Sequence, residues 1–147
     1  MEDWKYRAKD KLRDYSAQLN AVATLPLELK RLESEYTSIK AANTDVTPVQ
    51  GGGTTQEDRA LSNIVRRQEI EAMLYRAKKS VAFVEAALAR LSEEERLVLE
   101  LMYINRQRGA VGRLREELHL EDERSVYKRA DKALKRLTIA MYGATES

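Results

Sequence analysis

Apolar residues recur along this chain in steps of three and four. They fall at Ala8, Leu12, Tyr15, Leu19 and Val22, and after Pro26 at Leu29, Leu32, Tyr36 and Ile39. On a helix this spacing draws one narrow stripe, the seam of a coiled coil. Thr24 and Leu25 ahead of Pro26 suit a cap and a first helical turn, so two helices or one kinked helix are expected up to Ile39. A second stripe, Ile70, Leu74, Ala77, Val81, Val84, Leu88 and Leu91, steps the same way within the stretch Glu57 to Leu91, which holds no Pro or Gly. At about 1.5 Å per residue that helix is about 50 Å long, close to the combined length of the first segments, and the pair predicts an antiparallel helical hairpin. Leu61 and Ile64 fit the second seam only if its register slips near Arg67 and Gln68, so a local stutter is expected there. The intervening residues 43–56, NTDVTPVQGGGTTQ, carry Pro48 and three consecutive glycines without periodicity and read as a reversing loop.

Beyond Leu91 the pattern changes to shorter pieces. Ser92 and Glu95 stand at capping-box spacing, where each side chain satisfies a free backbone amide of the other residue. The helix they open runs through Leu97, Val98, Leu101 and Met102 to about Ile104, and NRQRG, Asn105 to Gly109, breaks it. Val111, Leu114 and Leu118 mark a short second helix, and His119 to Glu123 supplies a turn. Val126, Ala130, Leu134, Leu137 and Met141 form the buried stripe of a last helix stopped by Gly143. The expected fold is all-α: an antiparallel coiled-coil hairpin over residues 1–91, then a helix-turn-helix domain over 92–147 whose last helix would lie in a major groove.

Composition narrows what such a chain does. Its 147 residues allow one domain, or a small domain on a helical arm. The absence of cysteine removes disulfides, thiolate metal sites and thiol nucleophiles, a bias expected of a reducing cytosol. No apolar run approaches the roughly 20 residues that span a bilayer, and MEDWKYRAKD lacks a signal-like apolar core, so neither export nor a membrane partner is expected. The triple glycine is followed by Thr-Thr rather than the Gly-Lys-Ser/Thr ending of a phosphate loop, which argues against nucleotide binding. His119 is the sole histidine and reads as a turn residue, while Glu93, Glu94 and Glu95 suit the positive end of a helix dipole. No catalytic, cofactor-binding or metal-ligating residues are therefore expected. Tyr15, Tyr36 and Tyr75 fall at or beside seam positions and read as packing residues.

Net charge is only +2, so location decides what it means. Between Arg124 and Tyr142 six cations, Arg124, Lys128, Arg129, Lys132, Lys135 and Arg136, face one acid, Asp131, for a local +5. They lie opposite the Val126 to Leu137 stripe and are expected to share one solvent-facing surface. Arg124, Ser125, Lys128 and Arg129 come early enough to reach base edges, Lys132, Lys135 and Arg136 late enough to suit phosphates, and Tyr127 lies beside them. A lysine-rich solvated face would look the same by charge alone. The two short helices ahead of it turn the reading toward double-stranded DNA.

These segments also carry a likeness. LSEEERLVLELMYI (residues 91–104) and SVYKRADKALKRL (residues 125–137) resemble the C-terminal, region-four DNA-binding part of bacterial sigma factors. With DVTPVQGGGTTQED ahead of a long helix, the whole chain resembles phage and prophage transcriptional regulators of the ArpU/RinA type. The resemblance implies promoter-region binding through Arg124, Ser125, Lys128, Arg129 and Lys132, and activation of late or packaging genes with host RNA polymerase in a bacterial cytoplasm. Against the family pattern, the turn HLEDE is one residue longer and holds His119 where glycine is common. The arm would form a homodimer or contact the polymerase. Two other readings fit the same elements: a small terminase-like DNA-packaging subunit, which would assemble as a ring, and a helical adaptor that binds proteins alone.

Overall fold

The computed structural model describes residues 3–42 and 55–144, and all its regular structure there is helical. Two long helices, α1 (Asp3–Ala42) and α2 (Gln56–Leu88), precede α3 (Glu93–Leu99), a π-helical turn (Glu100–Ile104), α4 (Ala110–Glu117) and α5 (Glu123–Tyr142). The glycine-rich segment expected as a loop lies outside the described residues except for its last two positions. Thr55 caps α2: its hydroxyl accepts from Asp58 N at 3.1 Å while Asp58 Oδ2 accepts from Thr55 N at 3.3 Å.

α1 stays one helix through Pro26. Proline removes a backbone donor inside a helix, and just ahead of it the Thr24 hydroxyl donates to the Asn20 carbonyl at 3.0 Å, the back-bonding that Thr makes within helices. α2 ends at Leu88, three residues short of the expected Leu91. The amides of Arg90 and Leu91 bond instead to the carbonyls of Ala87 and Leu88, both at 3.1 Å, tightening the chain into a turn that delivers Ser92 to its cap.

Packing gathers the chain into two compact units, Asn20–Lys78 and Met1–Leu19 with Lys79–Ser147. In the Asn20–Lys78 unit, Leu32 and Ile39 of α1 are buried, as are Ala60, Asn63, Ile70 and Ala77 of α2. With half-buried Arg67 and Leu74 between them, the α2 positions run 60, 63, 67, 70, 74, 77 without a break in the three-four alternation. The expected stutter near Arg67 and Gln68 is therefore absent. Leu61, which with Ile64 suggested it, is 60% exposed, Ile64 is half-buried, and the seam positions are filled by Ala, Asn and Arg instead. Tyr75, expected to pack, is likewise 60% exposed.

Asn63 is the buried polar residue of that seam. Its Nδ2 donates to the Leu32 carbonyl at 2.9 Å, and its Oδ1 accepts from Arg67 Nε at 2.9 Å. The Arg67 guanidinium in turn lies 4.8 Å from the centre of the Tyr36 ring. Hydrogen bonding to both sides satisfies the amide and ties α2 to a single register on α1.

The other unit holds two apolar clusters. One joins Ala8, Leu12 and Tyr15 of α1, Val84 and Ala87 of α2, Leu91, Leu99 of α3, and Ala133, Leu134 and Leu137 of α5. The second joins Val98 and Leu101, Ala110 and Leu114 of α4, and Val126 and Ala130 of α5. The π turn lies between them. Asn105 N bonds to Glu100 O at 2.8 Å, a wider ring than an α-helical one, and Tyr103 packs against both clusters. At its polar end the first cluster is closed by Tyr15, whose hydroxyl donates to Glu85 Oε1 at 3.2 Å.

Candidate nucleic-acid interface

α5 owes its position to its own apolar stripe. Val126, Ala130, Ala133, Leu134 and Leu137 are fully covered, the first two by α3 and α4 and the rest by the cluster that includes Leu12 and Val84. Burying a Leu or Val side chain contributes about 1.5–3 kcal/mol, so this row fixes the rotation of the helix about its axis. Asp122 fixes its start: its Oδ1 accepts from Ser125 N at 2.9 Å and from the Ser125 hydroxyl at 2.8 Å. Those two bonds, with Lys128 and Arg115 nearby, hold the Asp122 carboxyl below its ordinary pKa. At the far end Gly143 takes φ 81°, a left-handed turn that glycine adopts without steric cost.

The turn before α5 needs the same conformation from a residue that has a side chain. His119 sits at φ 54°, at the position where the sequence likeness expects glycine. Its amide bonds to Glu116 O at 3.3 Å, and that of Leu120 to Arg115 O at 2.9 Å, closing the end of α4. Ahead of α4 the basic loop Asn105–Gly109 turns through two further left-handed residues, Arg106 at φ 49° and Gly109 at φ 75°.

With the helix so placed, all six cations are exposed, but two of them are paired with acids. Arg129 Nη1 binds Glu94 Oε1 at 2.6 Å, and Arg136 Nε comes within 3.2 Å of Glu95 Oε2, both across to the first turn of α3. Glu95 serves twice, since its Oε1 also accepts from Ser92 N at 2.9 Å in the expected capping box. Its Oε2 is buried and has no aligned hydrogen-bond donor, so the Arg136 charge is what faces it. On the other flank Asp131 Oδ2 meets Lys5 Nζ of α1 at 3.0 Å. Arg129 and Arg136 stay exposed, beside Lys132 and Lys135, but each answers an acid of α3, and Ser125 belongs to the cap.

Arg124, Lys128, Lys132 and Lys135 remain as an exposed row along the outer side of α5, with Tyr127, 51% exposed, beside it. From Arg124 to Lys135 the row measures about 17 Å at the α-helical rise. Arg90, from the turn between α2 and α3, also joins this region. With Lys132, Arg136, Glu94 and Glu95 it lines an open cleft of about 430 Å³. Nothing in the sequence singles Arg90 out, because its neighbourhood depends on how the turn folds back toward α5.

Among the described residues no three or more His, Asp or Glu side chains gather in a metal-binding group, and no helix is long and apolar enough to cross a membrane. Comparison of the chain with family models, curated proteins and solved structures gives no match.

Proposed function

We propose that the chain is a sequence-specific double-stranded DNA-binding regulator of transcription, with α4, the turn through His119 and α5 acting as its helix-turn-helix. The row Arg124, Lys128, Lys132 and Lys135 is the observation that carries this reading. It is exposed, it belongs to a helix whose rotation the core fixes, and three nearby acids are directed elsewhere: Asp131 toward Lys5, Glu94 and Glu95 toward Arg129 and Arg136, which leaves Asp122 near Lys128 as the acid at its tip. A row of about 17 Å exceeds the roughly 12 Å width of the major groove. Arg124 and Lys128, at the tip, would enter the groove, where Arg can bridge guanine O6 and N7. Lys132 and Lys135 would then stand at the groove's rim, at the height of the phosphates.

On this reading α1 and α2 form an antiparallel arm, and the likeness to region four of sigma factors supports activation of phage genes beside host RNA polymerase in a bacterial cytoplasm. Selection from a random duplex library with the intact chain tests it. A recovered consensus of a few base pairs per α5 is expected. Failure to enrich any sequence, with no salt-sensitive binding to duplex DNA, would overturn the reading in favour of a protein-binding adaptor.

A further inference from the structure

The turn between α2 and α3 holds Arg90 in a fixed place beside α5. The amides of Arg90 and Leu91 bond to the carbonyls of Ala87 and Leu88, Leu91 is buried in the cluster that contains Leu134 and Leu137, and Ser92 caps α3. Arg90 is thus anchored by its neighbours on both sides while it is itself exposed. Two clefts meet at it. One is the cleft shared with Glu94 and Glu95, whose carboxylates are taken by Arg129 and Arg136. The other, of about 600 Å³, is lined by Arg90, Lys132, Lys135 and Arg136 together with the apolar Leu91 and Ile139, and no acid is among its lining residues.

Cations gathered around one cleft without an acid repel one another, and an anion placed among them relieves that repulsion. Continuity identifies the anion. Lys132 and Lys135 are the end of the α5 row that would stand at the phosphates, and Arg90 joins them from a different element, outside α4 and α5. We propose that this cleft takes the phosphate backbone of the DNA strand bordering the groove that α5 enters, with Arg90 as a contact beyond the helix-turn-helix. The planar fork of a guanidinium can hold two oxygens of one phosphate. Such a contact adds affinity and fixes how the domain sits on the duplex, without reading bases. The proposal rests on the DNA reading of α5 and extends it to a residue that the row on α5 does not include.

Salt-dependent binding of the full chain to its selected duplex tests this. Arg90→Ala is expected to bind several-fold more weakly at low salt, with a log–log salt slope shallower by about one and the same consensus. Arg90→Lys, which keeps the charge but not the fork, should restore the slope and only part of the affinity. Arg13→Ala, which removes an exposed cation of α1, is the control for net charge and should leave the slope unchanged. Shortening the duplex outside the consensus, one base pair at a time from each end, should weaken the intact protein at one flank and leave Arg90→Ala indifferent there. Circular dichroism shows that each variant has kept its fold. A recovered consensus with equal slopes for the intact protein and Arg90→Ala would overturn this proposal alone, as would an equal effect of Arg13→Ala. A changed consensus in Arg90→Ala would also overturn it, making Arg90 a reader of bases. No salt-sensitive duplex binding by the intact protein would instead overturn the DNA reading, and this contact with it.

Discussion

Arg129 of α5 and Glu94 of α3 meet at 2.6 Å, while Arg136, two turns further along, faces Glu95. The first turn of α3 thus has two tasks. Its acids favour the positive end of their own helix dipole, and they neutralise one flank of a basic helix. The exposed row on α5 is in this way separated from cations that serve the packing of α5 against α3.

On the proposed reading, removing Glu94 should release Arg129 to the side offered to DNA. Glu94→Gln is expected to raise affinity for duplex DNA several-fold at low salt and to steepen the salt dependence by up to about one in the log–log slope. The pair is half exposed, so stability should change by under about 1 kcal/mol. Fluorescence anisotropy across a salt series reads the first effect and urea unfolding the second.

Tyr15 gives the unit that contains α5 an alkaline limit. Burial first, and the Glu85 carboxylate second, push its hydroxyl from an ordinary pKa of 10.0 up to about 12. The folded state thus favours the protonated phenol. The stability this contributes is whole below pH 10, where the unfolded chain is protonated too, and is lost as pH rises through about 12. The loss should be on the order of 2 kcal/mol, and Tyr15→Phe should flatten the unfolding midpoint over that window. An equal fall in both proteins would assign the alkaline limit to other groups.

Asn63 and Arg67 should couple. Asn63→Ala removes the bond to the Leu32 carbonyl and leaves the Arg67 guanidinium without its side-chain acceptor, at an expected cost of about 1–2 kcal/mol. In a double-mutant cycle with Arg67→Ala, a coupling of about 0.5–1.5 kcal/mol is expected, and strict additivity would mean that the two side chains are independent.

What the sequence makes legible is what short-range chemistry decides. The Ser92–Glu95 box, the left-handed Gly143 and the Val126 to Leu137 stripe each depend on residues a few positions apart, and each stands where the spacing places it. From Ile70 onward the seam of α2 follows its apolar stripe, but upstream it was obscured because Asn63 and Arg67 occupy it while the apolar Leu61 lies outside it. Partners across helices were equally hidden. That Arg129 answers to Glu94 and Asp131 to Lys5 follows from how three helices stack, and the extra residue of the π turn, which helps set that stacking, has no local signature.

The salt dependence of DNA binding tests the central claim most directly. Binding of the intact protein to its selected duplex should be compared with that of Arg124→Ala/Lys128→Ala/Lys132→Ala/Lys135→Ala, all exposed positions at which truncation leaves the core intact. If this row holds the DNA, the variant's slope of log affinity against log salt should be shallower by about two, from Lys132 and Lys135 at the phosphates, with sequence preference lost at the bases nearest Arg124 and Lys128. An unchanged slope and an unchanged consensus would show that α5 does not contact DNA through this face.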